Sequence, residues 1–290
     1  MRNEPAVRRA KLGAELRRLR GRAGLTSGKA AELVGWHQSK ISRMETGTSA
    51  AKAADVARLL DAYGVTDPGQ RTLLETLATA PRGAREDRWW SEYRELLPAE
   101  YRDFISLEAD ASAVRTLETS VVPGLLQTRR YALAVTRAAL AGAAAREVES
   151  LVEVRIARQA VLRSARPPRL HAVLDEAVLR RHVGGPGVMA EQLRHLRRMG
   201  TLPHVRLQIL PFAAGEHVGL TGPFVIFSYS RSSDLDVVVV DHLMSSLHLE
   251  RKEDLRAYVA AFASLQASAL SHEESMSFVA ALGAGAKEAP

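Results

Sequence analysis

The 290-residue sequence contains no cysteine and no apolar stretch long enough to cross a bilayer. The lack of cysteine excludes disulfides and thiolate metal sites, and the nine histidines are not grouped at the spacing of metal ligands. The longest β-branched run is Val237 to Val240, and the segment Met1 to Pro5 begins no apolar signal core. We therefore expect a cytoplasmic protein with no metal and no cofactor.

Sequence patterns typical of catalysis are also missing. The chain has no Ser-His-Asp signature, no zinc-ligand spacing and no dinucleotide fingerprint. The glycine-rich stretch Gly184 to Gly187 is not followed by the Lys-Ser/Thr of a phosphate-binding loop. The pair Asp175-Glu176 follows an apolar segment, where carboxylates typically cap a helix. We expect no catalytic residues and no enzymatic activity.

Length and a hydrophobic content of 46% predict about two domains, each with its own core. We place a first domain over residues 1–80, a linker over residues 81–88, a larger domain over residues 89–282 and a flexible tail over residues 283–290. The linker is polar, contains Pro and Gly, and shows no apolar period. The predicted fold class is α+β and mostly helical, with a five-helix bundle ahead of an α+β domain that holds a small antiparallel sheet.

Apolar periodicity gives a coarse assignment of helices and strands. In the first domain, helices are expected over Val7 to Gly21, on both sides of a turn at Gly35, over Thr48 to Gly64, and from Asp67-Pro68 to Thr79. In the second, helices are expected over residues 93–97, 99–117, 129–140, 146–164, 188–199 and 252–270. Strands are expected over residues 170–174, 205–210, 224–229 and 237–241.

The most informative segment runs from Leu25 to Gly47. Ala31 and Val34 give one short helix a buried stripe, and Gly35 ends that helix where positive φ is useful. Ile41 and Met44, three residues apart, give a second short helix its own stripe. With these turned inward, the outer face of the second helix carries four polar side chains: Gln38, Ser39, Ser42 and Arg43.

These four side chains have the chemistry that reads the edges of base pairs. The amide of Gln38 suits adenine, the two hydroxyls are adaptable, and the guanidinium of Arg43 suits guanine or phosphate. Thr26 is the expected N-cap of the first short helix. Contacts to phosphate, which position the protein without specifying sequence, are expected from five residues: Thr26, Ser27, Lys29, Lys40 and Thr48.

Charge distribution independently favours a nucleic-acid partner. Residues 1–80 hold 14 Lys and Arg against 8 Asp and Glu, whereas residues 81–290 hold 26 against 25. A merely solvated surface would spread its excess evenly, but a basic segment attracts a polyanion and makes binding dependent on salt. The amino-terminal domain is therefore predicted to bind DNA.

Residues 7–80 resemble the xenobiotic-response-element type of helix-turn-helix, the class of Cro and the phage repressors. The resemblance rests on Ala31, Gly35, Gln38-Ser39, Ile41-Ser42-Arg43 and Glu45. It implies a structural pair between Arg20 and Glu45. The chain departs from the family at Ser27, where Gln is usual, and at His37, where Ser or Thr caps the recognition helix; an imidazole nitrogen could accept the same bond.

Several segments of the larger domain resemble the domain that follows such a helix-turn-helix in antitoxin-like actinobacterial regulators related to WhiJ. These segments are residues 107–111, Val122 to Thr128 with Tyr131-Ala132, residues 173–179 and residues 208–211. The resemblance implies a partner-binding or sensing module. Candidate partner or pocket residues are Pro123, Gly124, Leu125, Leu126 and Gln127. The alternative is a buried turn that leads into a helix capped by Thr128.

Together these observations predict a dimeric, sequence-specific regulator, a repressor or autoregulator located at the nucleoid, whose carboxy-terminal domain dimerises and receives a signal. Its operator would be an inverted repeat in double-stranded DNA. Two other functions stay open. One is an antitoxin-like module that neutralises a small protein encoded nearby, and the other is a regulator that senses a small molecule.

Overall fold

The computed structural model describes residues 6–49, 51–78, 89–93, 96–229, 236–241, 246–249 and 251–285. The chain divides into two compact units, Met1–Arg94 and Glu95–Pro290. The predicted linker over residues 81–88 and the last five residues of the predicted tail lie outside the described ranges. Across the ranges that are described, no helix has both the length and the apolar character that a membrane crossing requires.

In the part of the first unit that the structure describes there are five helices, as predicted. They are α1 (Ala6–Arg22), α2 (Ser27–Val34), α3 (Gln38–Glu45), α4 (Ala53–Ala62) and α5 (Pro68–Ala78). A 3₁₀ turn at Trp89–Tyr93 also falls in this unit, although the sequence placed it at the start of the second domain. Helix α4 is shorter than the expected Thr48 to Gly64. It begins after Lys52, whose backbone is extended, and it ends before Gly64, which adopts a positive φ of 67°.

One apolar core holds the five helices together. It is formed by buried side chains at helical spacing, among them Leu12, Leu16, Leu19, Ile41, Met44, Val56, Leu59, Leu60 and Leu74. Helix α1 approaches the end of α3 at Gly13, where an added Cβ would lie 2.4 Å from the carbonyl oxygen of Met44 and 2.5 Å from that of Glu45. Glycine is therefore required at this crossing, since any side chain would collide with backbone.

The second unit alternates helices and strands before it ends in two helices. Its helices are α6 (Ala99–Asp110), α7 (Arg129–Ala139), α8 (Ala145–Arg158), α9 (Glu176–Arg180), α10 (Pro186–Gly200), α11 (Lys252–Ser268) and α12 (His272–Gly285). Its strands are β1 (Ala113–Glu118), β2 (Arg169–Asp175), β3 (Val205–Leu210), β4 (Phe224–Ser228), β5 (Val237–Asp241) and β6 (Ser246–Leu249). The α+β class is confirmed.

The strands form one six-stranded sheet in the order β3-β2-β1-β4-β5-β6. Pairings of β1 with β4, β4 with β5 and β5 with β6 are antiparallel, as expected. Pairings of β1 with β2 and of β2 with β3 are parallel, so the sheet is mixed and the expectation of an antiparallel sheet is corrected for this half. The physical reason is that helices α7 to α10 connect these strands, and parallel neighbours need such crossovers.

Three further expectations are corrected in this unit. The helix expected over residues 99–117 ends at Asp110, and Ala113–Glu118 is instead β1, which is hydrogen-bonded to β2 on one side and β4 on the other. Strand β6 and helix α12 were not expected. Helix α12 continues to Gly285, so the first three residues assigned to the tail are helical.

Candidate nucleic-acid interface

A short turn joins helices α2 and α3, and the amino-terminal end of each helix is capped by a side chain. The Oγ1 atom of Thr26 accepts a hydrogen bond from the backbone N–H of Lys29 (3.1 Å) and so caps α2, as predicted. Helix α2 ends at Gly35, which has a left-handed φ of 66°. His37 caps α3, since its Nδ1 accepts from the backbone N–H of Ser39 (3.3 Å). The imidazole therefore takes the place of the usual hydroxyl.

The inner face of α3 is buried and its outer face is polar. Ile41 and Met44 are 0% and 3% exposed, and they anchor the helix in the core. The four side chains expected to contact bases are all exposed: Gln38, Ser39, Ser42 and Arg43. They therefore lie together on one accessible surface, which we call the α3 outer face.

Two members of the α3 outer face are held by neighbouring side chains. The Nε2 of Gln38 donates to the Oγ of Ser27 at 2.9 Å, which links the first residue of α3 to the first residue of α2. The Oγ of Ser39 lies 2.8 Å from the Nδ1 of His37. These hydrogen bonds reduce the number of rotamers that each group samples before DNA arrives.

The two cations of α3 differ in their surroundings. The ammonium of Lys40 lies 3.2 Å from the Oδ2 of Asp55 and 3.6 Å from the centroid of the Trp36 ring, so it is held on the flank of the helix. Arg43 is exposed, and no carboxylate in the described ranges lies within ion-pair distance of its guanidinium. Of the two, Arg43 is the more available for an anionic partner.

The remaining residues expected to contact phosphate surround the α3 outer face. Thr26 and Ser27 lie at the start of α2. Lys29 is exposed and donates to Glu32 at 2.8 Å, and this hydrogen bond raises the pKa of the ammonium. The hydroxyl of Thr48 donates to the carbonyl of Arg43 at 3.1 Å and thereby closes the end of α3. Thr26 and Ser27 accept in their hydrogen bonds and keep a hydroxyl hydrogen that can be donated to a phosphate, and Lys29 keeps its charge, whereas Thr48 uses its hydrogen within the turn.

Arg20 and Glu45 join the end of α1 to the end of α3. Two guanidinium nitrogens donate to the two carboxylate oxygens at 2.6 and 2.8 Å, and a third donates to the carbonyl of Leu25 at 2.7 Å. The hydrogen bond to Glu45 raises the pKa of Arg20. Burial, reinforced by the charge of Glu45, raises the pKa of the nearby Tyr63 hydroxyl to about 12, so this hydroxyl stays neutral at physiological pH.

The candidate partner or pocket residues lie inside the second unit. Leu125, Leu126 and Gln127 are 3%, 0% and 1% exposed. The amide of Gln127 donates to the carbonyl of Val122 at 2.7 Å, and Gln192 donates to the carbonyl of Leu126 at 2.6 Å. Because a partner could not reach these side chains, the partner-groove hypothesis is corrected to the alternative, a buried turn.

The other residues of the segment Val122 to Thr128 agree with that correction. Thr128 caps α7 by accepting from the N–H of Tyr131 (3.3 Å). The carbonyl of Gly124 accepts from Gln159 at 3.0 Å, and an added Cβ there would lie 3.4 Å from the guanidinium of Arg158. Pro123 precedes this short 3₁₀ turn. The segment Val122 to Thr128 thus serves packing and hydrogen bonding within the second unit.

Sequence reasoning missed three features of the interface. It did not pair Ser27 with Gln38, and it did not find that Asp55 and Trp36 hold Lys40. The contacts of Ser27 with Gln38 and of Lys40 with Asp55 join residues 11 and 15 positions apart on different helices, so no local period carries a signal for them. Trp36 lies only four positions before Lys40, so that contact had a local signal.

Two family models match the chain in agreement with its division into two units. A model described as a helix-turn-helix domain matches residues 11–74, and a model described as a domain of unknown function, DUF5753, matches residues 101–281. Neither a curated protein nor a solved structure matches the chain.

Proposed function

Because the chain belongs to the DUF5753 family and carries a helix-turn-helix DNA-binding domain ahead of that domain, we propose that it is a dimeric, sequence-specific transcriptional regulator. In this proposal it is a repressor or autoregulator of the xenobiotic-response-element type, related to the WhiJ group and acting at the nucleoid in the cytoplasm. The coarser statement, a helix-turn-helix DNA-binding regulator, rests on the matched domain alone.

One observation carries the proposal: the α3 outer face presents four exposed polar side chains on a helix whose opposite face is locked in a core. A helix of this kind fits the major groove, where amide and guanidinium groups discriminate base pairs. The basic excess of residues 1–80 supplies the attraction to phosphate that does not depend on sequence. DUF5753 would supply dimerisation and the response to a signal, and we assign the chain no enzymatic role.

The test is a selection of bound fragments from the source genome with the purified full-length protein, followed by footprinting. A dimer would protect two half-sites of an inverted repeat whose centres lie about 34 Å apart on one side of the duplex. One asymmetric half-site would contradict the dimer. No enrichment of any fragment at moderate salt would contradict sequence-specific binding.

A protein-interaction role of the antitoxin-like kind is the second candidate. It is favoured by three large apolar side chains in the connection between β3 and β4, because Phe212, Val218 and Leu220 are 59%, 43% and 72% exposed. Exposed apolar groups of this size within one connection are typical of a protein contact. Coexpression with the product of a small neighbouring gene tests this role. A complex lost on Phe212→Ser and Leu220→Ser would support it, and the absence of any complex would contradict it.

A small-molecule sensor is the third candidate, and one feature of the second unit favours it. An open hollow of about 440 Å³ is lined by Val121, Ala134, Val135, Ala138, Ala139, Arg181, Val183 and Gly184. Its volume lies in the range of small-ligand sites. A metabolite that raises the melting temperature of the wild type, but not of Ala138→Trp, would support this role. The lack of any such metabolite in a screen would count against it.

A further inference from the structure

The second unit has its own concentration of positive charge. Residues 158–206 contain ten arginines and no lysine against three Asp and Glu, a net charge of +7 that equals that of the whole chain. The near balance over residues 81–290 therefore conceals a basic segment and an acidic remainder. Arginine in place of lysine favours planar, bidentate contacts to oxyanions.

The fold gathers six of these arginines at one edge of the sheet. Strands β2 and β3 are parallel, so their amino-terminal ends lie side by side, with Arg169 the first residue of β2 and Arg206 the second of β3. Helix α10 ends at Gly200, five residues before β3 begins, which brings Arg197 and Arg198 to the same edge. Arg163 and Arg166 precede β2. We call these six residues the arginine patch.

Hydrogen bonds hold the segments of the patch together. His204, just before β3, has its Nε2 3.0 Å from the carbonyl oxygen of Leu162, and its own carbonyl accepts from the N–H of Leu170 at 2.8 Å. The guanidinium of Arg198 lies 2.9 Å from the Nδ1 of His195. Burial lowers the pKa of His195, and the charges of Arg198 and Arg163 lower it further, so both arginines act on the same imidazole.

The arginines of the patch are all exposed. Other arginines of the unit are paired: Arg158 with Glu108 at 2.7 Å, Arg129 with Glu149 at 2.8 Å and Arg130 with Glu191 at 3.2 Å. No member of the patch has a carboxylate within ion-pair distance in the ranges that the structure describes. Six uncompensated cations at one edge form a strongly positive surface.

A role in stabilising the local fold explains only two of the six arginines of the patch. Arg197 and Arg198 lie in the last turn of α10, where cations interact favourably with the helix dipole. Arg166 and Arg169 lie outside helices and have no such role. Pro167 and Pro168 restrict the backbone between them, so the two guanidinium groups are presented at a restricted separation.

The composition of the surface identifies the kind of ligand. The large apolar side chains exposed in the described ranges are Leu33, Phe212, Val218, Leu220, Leu247 and Val259, and none lies within residues 158–206. A protein interface usually has an apolar centre, whereas a contact to phosphates needs none. The same residues include no Phe, Tyr or Trp, so they offer no ring on which unpaired bases could stack. Duplex DNA fits these features best.

We propose that the arginine patch of the second unit binds the phosphate backbone of duplex DNA, as a contact additional to the helix-turn-helix. The inference rests on the proposed DNA-binding function and extends it. The carboxy-terminal domain then contributes affinity that depends on salt and on the length of the duplex, while sequence preference stays with the α3 outer face.

The experiment uses the full-length protein and measures affinity against salt concentration. The first variant combines Arg163→Gln, Arg166→Gln and Arg169→Gln, and a second combines Arg197→Gln, Arg198→Gln and Arg206→Gln. The control combines Arg137→Gln, Arg146→Gln and Arg256→Gln, which removes three exposed arginines elsewhere in the unit. The probes are the operator selected by the wild type, the same operator extended by about 20 base pairs on each side, two turns of duplex, and a random duplex of the longer length.

We expect each patch variant to lower the salt slope on the long duplexes by about 3, one for each phosphate contact, and the control to leave it unchanged. Between 50 and 200 mM salt, the wild type would then lose about 40-fold more affinity than a patch variant. The wild type would bind the extended operator more tightly than the short one, and the patch variants would lose this gain.

The proposal is overturned if the patch variants and the control share one slope on both long duplexes. That result would direct the search to an acidic protein instead. The proposed function fails in a different way, if the wild type prefers no genomic fragment over the random duplex. The random duplex still reports on the patch in that case, so the two failures are distinguishable.

Discussion

Arg20 and Glu45 form a bidentate ion pair that ties the last turn of α1 to the last residue of α3, with N–O distances of 2.6 and 2.8 Å. The side chains are 15% and 6% exposed. The pair therefore fixes the end of the helix that carries the α3 outer face. Its contribution is structural, because both charges are used within the domain.

Arg20→Ala is expected to destabilise the amino-terminal unit by about 3 kcal/mol, since it leaves the carboxylate of Glu45 buried without a partner. Hydrogen exchange of the α3 amides in the full-length protein measures this loss. Arg17→Ala removes an exposed cation from the same helix and should change protection by less than about 0.5 kcal/mol. Equal effects of the two variants would contradict a structural role for the pair.

Gly13→Ala should also destabilise this unit, because the added Cβ would lie 2.4 Å from the carbonyl oxygen of Met44 and force α1 away from α3. The matched control is Gly21→Ala in the same helix, where nothing lies within 4 Å of the added Cβ. That control should stabilise the protein by about 0.5–1 kcal/mol through helix propensity. Thermal unfolding followed by circular dichroism separates the two, and a Gly13→Ala variant as stable as wild type would refute the close crossing.

The raised pKa of the Tyr63 hydroxyl predicts that the protein loses stability at alkaline pH. Its pKa is raised by burial to about 12 in the folded protein, against about 10 in an unfolded chain. The stabilisation is fully present below about pH 10 and is lost as the pH rises through about 12, because the unfolded state releases its proton first. We expect Tyr63→Phe to lessen the drop in melting temperature between about pH 8 and pH 11.

Tyr131→Phe is compared with Tyr63→Phe at neutral pH, because the two hydroxyls differ in their hydrogen bonds. The Tyr63 hydroxyl has no hydrogen-bond partner within the described ranges, so its removal should cost little at neutral pH. The Tyr131 hydroxyl accepts from the backbone N–H of Val122 at 3.1 Å, and its loss leaves that buried donor unpaired, at a cost of about 1–3 kcal/mol. The account of Tyr63 is wrong if Tyr63→Phe shows the same pH profile as wild type.

Ser27 is expected to act through Gln38, since its hydroxyl accepts the amide hydrogen bond at 2.9 Å. Ser27→Ala frees the Gln38 side chain and should relax base preference at one operator position by about 1 kcal/mol. A double-mutant cycle measures the coupling, because the effect on preference should disappear in a Gln38→Ala background. If Ser27→Ala instead weakens operator and random duplex equally in both backgrounds, Ser27 contacts phosphate as the sequence alone suggested.

The helix-turn-helix was predictable because its signals are local. The apolar positions recur at helical spacing within one or two turns, and Gly35 sits where α2 must end. Once Ile41 and Met44 are assigned to the core, the exposure of the α3 outer face follows from the helical period. The caps at Thr26 and His37 are likewise decided by neighbouring residues.

The sheet was less predictable because its pairings are not local. Strand β1 follows a helix after only two residues, and it is a strand because β2 and β4 provide partners 56 and 115 positions away, as in the pairs Ala113↔Arg169 and Ala113↔Ser228. Such context overrides intrinsic propensity. Strand β6 has only four residues, too few to show a period. The arginine patch was not predicted because acidic residues elsewhere in residues 81–290 nearly balance the positive charge of residues 158–206.

The most direct test of the central claim, that the α3 outer face reads base pairs, compares Gln38→Ala with Lys29→Ala on the selected operator and on a random duplex. We predict that Gln38→Ala weakens operator binding by about 1–3 kcal/mol and leaves random binding unchanged. Lys29→Ala should weaken both alike and flatten the salt slope. If both variants reduce binding to the operator and to the random duplex by the same factor, the α3 outer face does not specify sequence and the account is wrong.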